Sequence, residues 1–436
     1  MTPTARLAAA IDLLFEMEAA PRRPADAVAN SFFRERRYIG GGDRRAVSAQ
    51  VWSVLRAWRR LGWWLARAGG EPRPRLLVGA LSVLEGRPVE SLQRAFSGGR
   101  YAPDVLEPAE TRVLRALEGH TLDHPDMPEA VALEIPDWLL PALQAQFGER
   151  TRAEIEGLTA PATLDLRVNL LAGTREQARE ALSADGFACE PTPLSPWGLR
   201  IPSRAPVTSS KPFQSGLVEI QDEGSQLVVQ AVGARPDMRV LDYCAGAGGK
   251  TLGLAMCMEN RGHIVACDVS EPRLDGAVRR LRRAGVHNVE RHLLVSGDKW
   301  AKRRAASFDR VLVDAPCTGT GTWRRNPDAR LRLTEADLAE LTIKQGEILD
   351  RAASLVRPGG RLVYATCSIL RAENTDRIDT FLATHPGFRL VDLRDPEAAG
   401  VAIAPQALGS GATLQLTPRQ HGTDGFFCAV LEREAA

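Results

Sequence analysis

The chain has 436 residues, of which 44% are apolar and 25% charged, the balance of a folded chain of roughly two to four domains and not of a disordered one. Its 56 basic and 54 acidic residues leave a net charge of +2, which excludes a uniformly basic nucleic-acid coat and permits only local basic faces. Seven cysteines, an odd and sparse set, point to a reducing cytoplasm; no apolar run approaches the roughly 18 residues of a membrane span, and Asp12, Glu16 and Glu18 interrupt the first apolar stretch, against a signal peptide.

In chain order, Ala8, Ile11, Leu14 and Phe15 recur at helical spacing, as do Val47, Val51, Val54, Leu55 and Trp58. Gly/Pro breaks at 40–42, 69–74 and 86–88 cut this stretch into short helices and predict an all-α bundle over 1–144. Arginines cluster here, Arg34, Arg36, Arg37, Arg44 and Arg45 among them, interleaved with Phe32, Phe33, Tyr38, Trp52 and Trp63. An RNA face uses that mixture; so does a solvated helix surface over an aromatic core.

The segment 145–225 changes texture. Residues 164–171 alternate like a strand, 176–184 read as a helix and 199–201 as a second strand, which predicts a small α+β module with long Pro-rich loops near 191–206. From 226 to 436 strand and helix alternate. Strands are expected at 240–243, 263–268, 308–314, 361–366, 388–393 and 425–431, with helices at 273–284, 338–356 and 373–383 and a turn at Pro358–Gly360. This is the pattern of a parallel, doubly wound α/β sheet, whose ligands bind at the carboxyl ends of the strands.

Chemistry gathers at those ends. Residues 242–251 read Asp-Tyr-Cys-Ala-Gly-Ala-Gly-Gly-Lys-Thr, a Gly-rich turn that lets a ligand approach backbone amides. A phosphate-binding P-loop fits Gly249-Lys250-Thr251 but has Cys244 where its first Gly belongs, and the dinucleotide fingerprint would place its third Gly on Thr251. Asp268, ending the next strand, favours the second scheme, because an acidic group there accepts ribose hydroxyls; capping the following helix would also suit it. Asp314-Ala315-Pro316-Cys317 and Thr366-Cys367-Ser368 each place a thiol just past a strand, facing one crevice. A thiolate is a strong nucleophile. Neither Cys-x-x-Cys pairs nor neighbouring His support a metal site. Lys250 is one of five lysines in an arginine-rich chain and sits at a helix N-terminus, where a cation is disfavoured, which suggests work near the thiols.

With Gln221-Asp222-Glu223-Gly224-Ser225-Gln226 upstream and His421-Gly422-Thr423-Asp424-Gly425-Phe426-Phe427 downstream, these motifs resemble the RNA cytosine-5 methyltransferases of the RsmB/NSUN superfamily. The loop departs at Cys244-Ala245-Gly246-Ala247-Gly248, where that family more often has Cys-Ala-Ala-Pro-Gly. The resemblance implies a Rossmann-like class I methyltransferase domain over 226–436, a NusB-like RNA-binding bundle over 1–144, and an RNA-recognition-like module over 145–225 that begins near Arg167-Val168-Asn169.

It also implies the chemistry. Cys367 would attack C6 of a flipped-out cytosine, Cys317 would assist product release, and Asp314 would bond the base edge at N3 and the amino group, with Lys250 beside them. S-adenosylmethionine (SAM) would lie across Cys244, Ala245, Gly246, Ala247, Gly248, Gly249 and Lys250, with Asp268 on the ribose, Asp298 at the adenine amino group and Arg273 toward the methionine carboxylate; Asp314 would border it, and S-adenosylhomocysteine would leave. Trp323-Arg324-Arg325-Asn326-Pro327 would stack on or clamp the RNA. The expected partner is small-subunit ribosomal RNA before assembly, met by a monomer in the cytoplasm without membrane or metal. Three rivals stand beside this reading: a transfer-RNA methyltransferase; a DNA cytosine-5 methyltransferase, whose nucleophile would be Cys317; and a non-catalytic RNA-binding or antitermination factor.

Overall fold

Alternation in Leu164–Val168 (β1) gives the strand two unlike faces: Leu166 and Val168 enter an apolar core with Leu182 and Leu199, while Asp165 and Arg167 point the other way. In this computed structural model, which describes residues 1–202, 205–295, 297–409 and 411–435, both polar residues are nonetheless buried. The strand pairs antiparallel with Gly198–Ile201 (β3, after the short β2 at Glu190–Pro191) and with Val218–Ile220 (β4), in the order β2-β3-β1-β4. Residues 203 and 204 of the Pro-rich stretch lie outside the described residues.

The larger sheet uses Arg239–Asp242 (β5), His263–Asp268 (β6), Val289–Leu293 (β7), Phe308–Asp314 (β8), Val356–Thr366 (β9), Phe388–Leu390 (β10), Leu414–Leu416 (β11) and Phe426–Arg433 (β12). Its order is β10-β12-β9-β8-β5-β6-β7, with β11 on β12. Strands β9, β8, β5, β6 and β7 are mutually parallel. Their residues Val240, Leu241, Val311, Leu312, Val313 and Val363 are fully buried, as strands covered on both faces require.

The expectation of a wholly parallel sheet is corrected at one edge. β12 runs antiparallel to β9, β10 and β11, because it is entered by a short connection from β11 instead of a crossover helix. A second correction concerns β9. Pro358–Gly360 do not end it: Gly359 takes a positive φ of 70°, and the ladder to β8 slips register between Phe308 and Arg310. The strand therefore starts at Val356 instead of Arg361.

The described residues divide into two units, Met1–Thr159 with Arg325–Glu335, and Ala160–Arg324 with Ala336–Ala436. The first is helical. Its helices Pro3–Ala19, Ala25–Glu35, Gly41–Arg56, Trp58–Arg67 and Pro74–Leu84 bury Leu13, Phe32, Val51, Leu61, Leu65 and Leu77 together. Within the same unit Arg330 is fully buried and donates to the carbonyls of Leu55 and Arg56 at the end of helix Gly41–Arg56. Glu134 lies 3.9 Å from Arg330 and accepts the backbone N–H groups of Arg59 and Arg60. Burial pushes the Glu134 carboxyl above its ordinary range, and the nearby Arg330 pulls against that. No helix among the described residues is long and apolar enough to cross a membrane.

Candidate functional site

Four parallel strands deliver Asp242, Asp268, Asp314 and Thr366 to one edge of the sheet. The turn after β5 is shaped by glycine. Gly246 (φ 54°) has the guanidinium of Arg273 only 2.6 Å from where a Cβ would stand, and Gly248 (φ 78°) is the left-handed cap from which helix Gly249–Cys257 starts. Asp242 accepts the Thr251 hydroxyl at 2.7 Å and so ties the strand end to the first turn of that helix. Burial pushes the Asp242 carboxyl up to about 7, and its other oxygen has no partner among the described residues.

Asp268 accepts the Gly246 amide at 2.8 Å and the Ser270 amide at 2.8 Å, with Arg273 at 3.5 Å. It therefore clamps the loop and fixes Ser270, the residue before the helix Glu271–Arg283, which has no side-chain cap of its own. Asp298 accepts the Trp300 amide and the His292 ring N–H side, both at 2.8 Å. The Trp300 amide is the main reason its carboxyl sits below the ordinary value.

The Lys250 ammonium donates to Asp314 Oδ2 at 2.7 Å and lies over the Phe426 ring at 5.4 Å. Burial works against this cation, but the Asp314 charge and hydrogen bond outweigh it, so its pKa stands above the ordinary lysine value. The unfavourable helix end is thereby offset by a carboxylate.

Cys317 and Cys367 bring their sulfurs to 3.5 Å. Cys317 is held well above an ordinary thiol by its hydrogen bond with Cys367 and then by burial, so it keeps its proton. The loops carrying the pair are pinned from beneath. Buried Glu373 accepts the Thr318 amide at 2.8 Å, the Thr318 hydroxyl at 2.5 Å and the Gln345 amide at 3.0 Å. Asn374 donates to the Ser368 carbonyl at 2.9 Å, and the Gly321 amide donates to the Cys367 carbonyl at 2.9 Å. Sequence reasoning missed Glu373, Asn374, Thr318 and Gln345; the one visible signal was an acidic residue shortly after Thr366-Cys367-Ser368.

A cavity of about 790 Å³ brings Asp268, Asp298, Asp314, Cys317 and Cys367 together, with Cys244 and Arg273 also on its wall. Ala245, Gly246, Ala247, Gly248, Gly249 and Lys250 do not line it; Lys250 reaches it through Asp314. Trp323 and Arg324, expected to stack on or clamp RNA, do neither. Trp323 is 1% exposed, and Arg324 is buried in ion pairs with Asp222 and Asp424. Arg167, expected in an RNA-facing module, is likewise buried.

Comparison with known proteins follows the same lines. A family model described as 16S rRNA methyltransferase RsmB/F matches residues 229–432, and one described as an RsmF/B-like ferredoxin-like domain matches 135–208. The chain is 35% identical to "Ribosomal RNA small subunit methyltransferase B" of Xylella fastidiosa (strain 9a5c), over 90% of this chain and 92% of the relative. It is 36% identical to the protein of that name in Pseudomonas syringae pv. tomato, over 69% of this chain and 66% of the relative, just under two thirds of its length. Among solved structures, the crystal structure of PH0851 is 26% identical with a TM-score of 0.80, covering 99% of both chains.

Proposed function

The chain belongs to the RsmB/F family of 16S ribosomal RNA methyltransferases, and from that premise we propose that it methylates C5 of a cytosine in small-subunit ribosomal RNA with SAM as donor. One observation carries the reading: two thiols 3.5 Å apart share a cavity wall with Asp268 and Asp298. The cavity suits the donor. Its volume of about 790 Å³ is in the range of small-molecule sites, and its wall carries two carboxylates, Asp268 and Asp298, able to accept from ribose hydroxyls and an adenine amino group.

The residues assigned to the donor are the loop Cys244–Lys250, Asp268, Asp298, Arg273 and Asp314. When bound, the donor supplies an electrophilic methyl group. The chain must make C5 of the cytosine nucleophilic, since the aromatic carbon is too poor to take it. Cys367 does this by adding its thiolate to C6, which turns C5 into an enamine carbon. Asp314 carries the proton that N3 takes up as the thiolate adds and accepts from the exocyclic amine, and Lys250 fixes Asp314 through Oδ2, leaving Oδ1 outside that ion pair. After methylation, loss of the C5 proton and β-elimination free the Cys367 sulfur. Cys317, protonated and in contact with that sulfur, assists its departure.

The target must be unstacked to enter the cavity, which favours a loop or bulge in RNA that is not yet buried in a subunit. Residues 1–144, as a NusB-like bundle, and 145–225 would present that RNA to the catalytic part, 226–436. Bisulfite sequencing of total RNA from a deletion strain tests the proposal. Loss of one 5-methylcytosine in 16S RNA supports it; loss of a transfer-RNA site with 16S RNA intact overturns it.

A further inference from the structure

The polar face of β1 does not meet solvent. Arg167, 2% exposed, donates from Nη1 to the carbonyl of Gly249 at 2.9 Å and to the side-chain oxygen of Gln221. Gln221 adds a donor to the same Gly249 carbonyl at 3.3 Å. That carbonyl belongs to the peptide joining Gly249 to Lys250, so its orientation sets the direction in which Lys250 leaves the backbone. The helix is cut away to admit the guanidinium: a Cβ at Gly253 would stand 3.0 Å from Arg167 Nη1 and 2.9 Å from Val229.

A second wire runs parallel. Glu219, on β4, pairs with Arg280 at 3.4 Å and Arg283 at 2.5 Å, and Arg280 donates to the Ala247 carbonyl at 2.7 Å. Two carbonyls of one loop, Ala247 and Gly249, are thus held by guanidinium groups that are placed by the small module. Arg167 touches neither the cavity wall nor Asp314, so it can act only through the loop.

Resting on the assignment of the loop Cys244–Lys250 to the methyl donor, we infer that Arg167 is a positioning residue for donor binding: the small four-stranded module sets the shape of the donor loop instead of reading RNA with this strand. Charge-assisted bonds to backbone carbonyls are strong and directional, and losing them lets the peptide plane turn.

Steady-state kinetics on the full-length chain, with SAM and an RNA substrate varied separately, test this in Arg167→Met, Arg167→Lys and Arg280→Met. The expected result is a rise in the KM for SAM of about tenfold or more in Arg167→Met, partly restored in Arg167→Lys, and a smaller rise in Arg280→Met, with the KM for RNA within about twofold throughout. Arg280 is partly exposed, so its variant reports even if Arg167→Met fails to fold. An unchanged KM for SAM in Arg280→Met and in whichever Arg167 variant folds overturns the inference, as does a rise confined to the KM for RNA. A wild-type chain that binds no SAM would sink the donor-loop assignment itself, which is a separate outcome.

Discussion

The Cys317 and Cys367 sulfurs lie 3.5 Å apart on loops that leave the neighbouring parallel strands β8 and β9. Each loop is fixed from behind, Cys317 through Thr318 on Glu373 and Cys367 through the Gly321 amide, so neither thiol can move without disturbing the other's support.

Separate roles predict opposite mutant behaviour. Cys367→Ala should lose methylation by a factor on the order of 10³ or more and form no adduct. Cys317→Ala should accumulate a covalent RNA complex that survives denaturing electrophoresis. If Cys317→Ala is inactive without an adduct, the assignment of the two roles fails.

Lys250→Met leaves Asp314 without its cation. The expected outcome is a fall in kcat of roughly 10²-fold with RNA binding unchanged, since Lys250 meets the base only by way of Asp314. Single-turnover rates and a filter-binding titration separate the two quantities; a wild-type kcat would remove Lys250 from the chemistry.

Asp242 makes stability depend on pH. Its folded-state pKa of about 7 exceeds that of an unfolded carboxyl, so between about pH 4 and 7 the folded chain holds a proton that the unfolded chain has released. Stability should therefore fall as pH rises through that window. Asp242→Asn keeps an acceptor for Thr251 and removes the titration. Denaturant melts should show the variant gaining on wild type by about 1 kcal/mol or more from pH 4.5 to pH 8. Parallel curves would refute the account.

Glu134 and Arg330 test the helical unit. Glu134→Ala removes the acceptor for two amides and the charge opposite a fully buried guanidinium, for a cost of about 3–5 kcal/mol. Glu134→Gln keeps the acceptor and should cost less. Equal losses in urea melts would mean that the amide contacts carry nothing.

The strand ends were legible because their chemistry is local: Asp268, Asp314, Cys317 and Cys367 follow apolar runs that announce β6, β8 and β9. Other features depend on partners far away in the chain. Trp323-Arg324 read as an RNA clamp because nothing nearby shows that Asp222 and Asp424 would enclose the guanidinium. The burial of Arg167 was not legible because alternation reveals that a face is polar, not what covers it. The reversed direction of β12 was hidden for a related reason, since a strand's side-chain pattern is the same whichever way it runs.

The eleven residues Arg325–Glu335 fold with Met1–Thr159 although more than 160 residues separate the two stretches in the sequence. A gene cut after codon 159 would therefore not yield two clean halves. The downstream product would carry an orphaned strap, with Arg330 bereft of the helix end that solvates it, only a few residues beyond the loop bearing Cys317. Excising a helical portion of this enzyme as a free-standing reagent means redesigning that strap as well.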